Sequence, residues 1–297
     1  MIKMNDERLG LLLSVLAALG FAGKTVLAKL AYQHGVAPVT LLAVRMAFAG
    51  VVFGGVLGYN LARKRWTLGL TGRQWPAVAA LGVFGYYLSA LLDFSGLQYV
   101  DATLGRMILF LYPTLVVLLN AGLRRRAVRS GIWAALALSY SGLALMMAPR
   151  LGGPQADFRL GSALIFSGAL TFAVYLVGLE RLLQTAGSIA RLTTLILCVS
   201  CLAVVGHFLL THPVTDLLVP APVLIHGALM GLLSTVMPIY AMTAGIALIG
   251  ANRAALIGLL GPVLTFALGY FLLGERLTPL QFAGMALIIA GVWRARG

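Results

Sequence analysis

Acidic side chains are scarce in this chain: among 297 residues there are eight aspartates and glutamates against 22 lysines and arginines, and charged residues make up only 10% of the total. A soluble domain of this length needs a far more polar surface. Metal and redox chemistry have little to build on. Of four histidines, His34 and His212 stand at the ends of apolar runs, while His207 and His226 are isolated within or near them, with no His-Glu-x-x-His spacing. The two cysteines, Cys198 and Cys201, form a Cys-x-x-Cys step inside an apolar run. Without a second ligand pair or a thioredoxin-like context, they read as small lipid- or core-facing residues. No Gly-x-Ser-x-Gly or comparable nucleophile arrangement occurs, so neither an enzyme nor a cofactor is expected. Gly23-Lys24-Thr25 resembles the end of a phosphate-binding loop, but Ala18 stands where the first glycine belongs and the triplet lies within an apolar helix. The formal charge of +14 would suit nucleic acid in a soluble protein. Here the basic residues sit in short loops and lack interleaved aromatics, which excludes a nucleic-acid partner.

What remains is apolar. Hydrophobic residues make up 61% and the mean hydropathy is +0.98. The runs are continuous rather than alternating, which favours helices over a membrane barrel. Ten of them reach bilayer length, at 9–33, 39–60, 75–98, 101–122, 130–148, 159–183, 188–211, 221–247, 250–273 and 277–295. The first carries mixed charges (Asp6, Glu7, Arg8) ahead of it and no clear cleavage site, so it reads as a retained helix rather than a signal peptide.

The chain also repeats itself. Pro113 and Pro262 are 149 residues apart, as are Gly142 and Gly291, and Arg8-Leu9-Gly10 returns as Arg159-Leu160-Gly161 at an offset of 151. The expected units are 1–150 and 151–297, joined by the Gly- and Pro-rich segment from Pro149 to Asp157. Basic residues mark one face: Arg63, Lys64, Arg65 and Arg73 between runs two and three, Arg124, Arg125, Arg126 and Arg129 between four and five, and Arg294 and Arg296 at the end. The opposite connections, 99–101 and 211–219, have no lysine or arginine. The positive-inside bias then puts both termini in the cytoplasm. Five helices per copy is odd, so the two copies are inverted about an axis in the membrane plane, the arrangement of alternating-access transporters with a midplane site.

Intramembrane charges and aromatics mark the candidate site. Lys24 lies ~22 Å into the first run at 1.5 Å per residue, and Arg45, Asp93 and Arg106 fall toward the same outer ends. Such charges pair or line a cavity. A Lys24–Asp93 or Arg106–Asp93 pair closing the outer side is expected, with contact to a substrate carboxylate or proton coupling through Asp93 as alternatives. Glu180 and Arg181, at an inner helix end, read as solvated or snorkelling. Phe21, Tyr86, Tyr87, Tyr112, Phe172 and Tyr175, with Met237 and Tyr240, fall near mid-depth, where tyrosines need polar partners that a cavity supplies. Pro113 and Pro262 are candidate hinges, and Pro238 lies within the eighth run. Gly50, Gly54 and Gly58 form two overlapping Gly-x-x-x-Gly steps, which fit either internal packing or a homodimer face; a homodimer is not required.

These residues carry a family resemblance. Leu97-Gln98-Tyr99-Val100-Asp101-Ala102 leading to Pro113, its copy from Ala247 to Asn252 leading to Pro262, and Gly274-Glu275-Arg276-Leu277-Thr278-Pro279 resemble the EamA-type proteins of the drug/metabolite transporter superfamily. Lys24 followed by Pro38 and Arg45 is similar to the family's first-to-second helix pattern. The first copy departs from the Gly-Glu element, with Arg125-Arg126-Ala127 in its place. The resemblance implies an all-α polytopic membrane protein of ten helices in two inverted five-helix repeats, with a central cavity built by helices one, three, four, six, eight and nine. Small multidrug-resistance relatives use a glutamate in the first helix, where this chain has Ser14 and Ala17. The nearest likeness is to bacterial exporters of aromatic and other amino acids. An inner-membrane amino-acid exporter is therefore expected, with Phe21, Lys24, Tyr86, Tyr87, Arg106, Tyr112, Phe172, Tyr175, Met237 and Tyr240 as substrate contacts. Its partners would be a small-molecule amino acid and the bilayer. A carrier of phosphorylated or nucleotide-linked solutes, held by Lys24, Arg45 and Arg106, is the alternative.

Overall fold

Apolar runs of bilayer length leave the backbone no hydrogen-bonding partner but itself, and each of the ten has become helix. The computed structural model describes residues 4–67, 70–72, 74–100, 102–125, 127–150, 157–185, 187–274 and 276–294. Arg73, Asp101, Arg126, Glu275 and Arg296, and 151–156 of the expected linker, lie outside the described residues. Span 1 is Met4–Tyr32, span 2 Pro38–Ala62, and span 3 Gln74–Gly96. Span 4 joins Ala102–Leu109 to Tyr112–Arg124. Span 5 is Ser130–Met147, span 6 Phe158–Thr185, and span 7 Ile189–Thr211.

The next helical stretch, Ala221–Gly258, has 38 residues. As one straight rod it would measure about 57 Å, nearly twice the hydrocarbon core. Gly250, at φ 80° and ψ 160°, breaks it, a conformation that glycine adopts without a Cβ penalty. Span 8 is therefore 221–249, and span 9 is 251–258 with Leu260–Leu273; span 10 is Pro279–Arg294. Thr278 and Gln281 start span 10 with a capping box: the Thr278 amide donates to Gln281 Oε1 at 2.9 Å, and the Gln281 amide to Thr278 Oγ1 at 3.3 Å. Ten passes bring Met4 and Arg294 to one end of the bundle, which we call the terminal end; the other is distal.

The 149-residue offset holds at the level of backbone irregularities. A π turn opens at Val83 in span 3 and another at Leu232 in span 8. Span 4 is interrupted after Leu109 and span 9 after Gly258, each just ahead of its proline, Pro113 or Pro262. Arg125 and Gly274 both end their helices in the left-handed conformation.

The two repeats also exchange matching contacts. A Cβ on Gly10 of span 1 would meet Ile249 and Leu248 of span 8; one on Gly161 of span 6 would meet Val100 and Tyr99 after span 3. These pairs are repeat equivalents, so spans 1 and 8 pack as spans 6 and 3 do. Spans 5 and 10 cross where Gly142 and Gly284 each approach the other's carbonyl oxygen. Gly50 packs near Cys201, while a Cβ on Gly54 or Gly58 would meet nothing within 4 Å. Both cysteines are free. One apolar core gathers Phe53, Tyr175, Leu176 and Ile196; a second gathers Leu143, Met146, Phe266 and Ile288.

Candidate functional site

A cavity of about 510 Å³ runs from mid-bundle to the distal end. Spans 1, 3, 4, 6, 8 and 9 all line it, and span 2 adds Pro38, Leu41, Leu42 and Arg45. Its deep part is small and apolar, with Ala17, Ala18, Ala254 and Gly258. Around this sits an aromatic box. The Phe172 ring stands edge-on to Tyr112 at 5.2 Å and to Tyr86 at 6.1 Å, and Phe21 completes the wall. Tyr112 Oη donates to the Ala255 carbonyl at 3.5 Å, tying span 4 to span 9. The π turn of span 3 supplies Tyr86; that of span 8 supplies Ser234 and Thr235, the repeat equivalents of Gly85 and Tyr86. A π turn widens the helix and re-aims side chains, a device common at functional sites.

The distal part of the cavity is cationic. Lys24, Lys29, Arg45 and Arg106 line it, with Asp93 as the sole acid among the described lining residues. Lys24 stands in the fields of Arg45, Arg106 and Asp93. The expected ion pair is not formed: among the described residues, neither Lys24 nor Arg106 bridges to Asp93, and all three face the cavity instead.

The terminal end is closed by polar contacts between repeats. Glu180 of span 6 is buried and accepts from Arg124 at 3.0 Å and from Asn120 at 3.3 Å, both on span 4. Asn120 also donates to Asn252 Oδ1 of span 9 at 2.7 Å, and Arg253 pairs with Glu7 of span 1 at 2.5 Å. Glu180 thus departs from the expected solvated helix end, because the fold brings Arg124 to it; Arg181 beside it is exposed.

Of the residues singled out from the sequence, Phe21, Lys24, Tyr86, Arg106, Tyr112 and Phe172 line the cavity, as does Pro262; Pro113 is buried outside it. Four others do not reach it. Tyr87 turns away, and its hydroxyl meets His207 Nδ1 of span 7 at 3.0 Å. Tyr175 is fully buried behind Tyr86, with ring centroids 5.4 Å apart. Met237 is 58% exposed on the outer surface. Tyr240 bonds Thr194 at 2.5 Å and packs on Phe53. Each lies on a helix that lines the cavity, but its side chain faces another way. Thr235 was missed, although the offset from Tyr86 points to it. Among the described residues no group of His, Cys, Asp and Glu could hold a metal.

This architecture has relatives. A solved crystal structure superposes with a TM-score of 0.80 at 18% identity, covering 97% of this chain and 98% of the other. The uncharacterized transporter YcbK of Bacillus subtilis (strain 168) is 32% identical over 293 residues, 95% of this chain and 91% of that one. An uncharacterized transporter of Archaeoglobus fulgidus is 26% identical over 277 residues, 88% of this chain and 97% of its own length. The model of the EamA-like transporter family matches twice, over residues 8–148 and 159–295, once for each repeat. The chain therefore belongs to the EamA-like transporter family.

Proposed function

We propose that this transporter exports amino acids, aromatic and apolar ones among them, across the bacterial inner membrane. The observation that carries the reading is one cavity that joins an aromatic box (Phe21, Tyr86, Tyr112, Phe172) to a cationic distal part (Lys24, Arg45, Arg106). An amphipathic solute with a flat apolar side chain and a charged head matches such a lining. The termini are cytoplasmic, so the cavity opens outward and the Arg124–Glu180 contacts close the cytoplasmic side. The bodies 1–150 and 151–297 rock against each other, with the helix breaks ahead of Pro113 and Pro262 as hinges. No chemical step is involved.

The test is flux through purified protein in liposomes. Labelled phenylalanine, tryptophan and leucine, a sugar phosphate and a nucleotide sugar are each offered, with and without a proton gradient. Saturable amino-acid flux is expected. Its absence under every condition overturns the substrate assignment. The excess of cations over acids in the lining favours one second reading, a carrier of phosphorylated solutes; sugar-phosphate flux without amino-acid flux selects it.

A further inference from the structure

Two groups in the cavity wall lack the partners their burial demands. Arg45 of span 2 is only 9% exposed, held where Gly231 lets span 8 approach its backbone. Its Nη2 reaches Met46 Sδ at 3.9 Å, a weak contact, and its Nε has no hydrogen-bond partner. The Tyr86 hydroxyl, in the same cavity and within the electrostatic reach of Arg45, is also buried and makes no well-formed hydrogen bond, with the Tyr175 hydroxyl beside it. A guanidinium at membrane depth without a counter-charge is costly. Its planar fork is shaped for a carboxylate, which it grips with two parallel hydrogen bonds. Asp93, the one acid among the described lining residues, forms no ion pair with Arg45 and lies in the fields of Arg106 and Lys24.

We propose that Arg45 and Tyr86 form a carboxylate subsite, and that the cavity selects aryl and alkyl monocarboxylates whether or not they carry an α-amino group. This rests on the reading above that the cavity carries a small organic solute, and it widens the solute class beyond amino acids. The carboxylate bonds Arg45, Lys24 and Arg106 set the surrounding field, and the apolar part reaches the aromatic box. An ammonium group meets four lining cations against the single acid Asp93, which already lies in the fields of Lys24 and Arg106, so it adds little.

The experiment uses purified full-length protein and four probes: phenylalanine, 3-phenylpropanoate, phenylalaninamide and phenethylamine. Binding is read as a thermal shift in detergent, and selectivity as competition against phenylalanine flux in liposomes. We expect 3-phenylpropanoate to bind within about 3-fold of phenylalanine, and the amide and amine to bind at least ~30-fold more weakly, the worth of a charged hydrogen-bonded pair. Arg45→Gln should lose about 30-fold in carboxylate binding, and Arg45→Lys should restore part of it. Tyr86→Phe, a milder change, should lose ~5-fold. Phenylalanine transport with no 3-phenylpropanoate binding overturns this proposal and leaves the amino-acid reading standing. Amide or amine binding as strong as phenylalanine's overturns it too. If amino acids are not carried but 3-phenylpropanoate binds through Arg45, the amino-acid reading fails and the carboxylate subsite holds.

Discussion

At the terminal end of the cavity, Asn120, Arg124, Glu180 and Asn252 are hydrogen-bonded across the two repeats. At the distal end, the repeat-equivalent positions of Asn120, Arg124 and Glu180 are Gly269, Leu273 and Lys29, which line the open cavity. The same scaffold is thus latched at one end and open at the other. Backbone features do not account for this: the π turns, the helix breaks, the left-handed caps at Arg125 and Gly274, and the seam glycines Gly10/Gly161 and Gly96/Gly245 recur at matched positions. The asymmetry lies in side chains the copies do not share. A buried carboxylate with two donors holds one end, and the three counterpart positions, a lysine, a leucine and a glycine, include no carboxylate with which to repeat that latch. If the repeats rock as proposed, packing makes the two closures nearly equivalent, and these few polar residues decide which is preferred.

The largest test of that comparison concerns the matched seams. A Cβ on Gly96 would fall 2.5 Å from Ile165 Cγ1 and 2.8 Å from the Gly161 carbonyl oxygen, and a backbone oxygen cannot step aside. The equivalent Cβ on Gly245 would meet the Ser14 hydroxyl at 2.5 Å and the Gly10 carbonyl oxygen only at 3.3 Å. The hydroxyl can rotate, giving up its 2.9 Å bond to the Gly10 carbonyl. Gly96→Ala should therefore cost about 3 kcal/mol and Gly245→Ala about 1 kcal/mol, within the range for overpacked interiors. Thermal unfolding in detergent measures both. Equal losses would mean that the seams are more alike than these contacts imply.

The latch itself comes next. Arg124→Ala leaves the buried Glu180 carboxylate with Asn120 alone. Unpairing a fully buried charge costs roughly 3–5 kcal/mol, but the Arg124 side chain is half exposed, so solvent already screens the pair. We expect the closed terminal end to weaken by about 2 kcal/mol, or ~30-fold in population. Ala254→Cys, in a Cys198→Ser/Cys201→Ser background, reports it as faster labelling by an impermeant maleimide from the terminal side. Unchanged labelling would show that packing, and not this pair, holds the end shut.

Much of this was legible in the sequence, and the reasons are physical. Apolar length dictates helices in a bilayer, so composition alone leads to the ten spans. Proline lacks an amide donor, so Pro113 and Pro262 mark where spans 4 and 9 break. Which way a side chain faces was less legible. A helix in lipid has no polar stripe to mark its inner side, and each π turn shifts the azimuth of the residues beyond it. Tyr86 and Tyr87 are neighbours, yet one lines the cavity and the other bonds His207. Glu180 and Arg124 lie 56 residues apart, and nothing local announces that they meet. Arg45 shows the same limit: its charge at depth signals a role, but its missing partners are visible only once the wall is assembled.

The smallest expected effect sharpens the comparison most directly, because it swaps one position between repeats. Arg125 and Gly274 end equivalent helices at φ 50° and φ 65°. For glycine that conformation carries no Cβ penalty, whereas for an L-residue it costs about 1–2 kcal/mol. The first repeat shares the geometry but not the residue that suits it. Arg125→Gly should stabilise the protein by about 1 kcal/mol, and Arg125→Asn by less, since asparagine tolerates this region better than most side chains. Gly274→Arg should lose a similar amount, about 1 kcal/mol. Thermal melts of the three variants decide it. A gain at position 125 matched by a loss at 274 places the difference in the backbone. A loss at both positions would show that the Arg125 side chain contributes more than its conformation costs, and that this basic loop is retained for its charge.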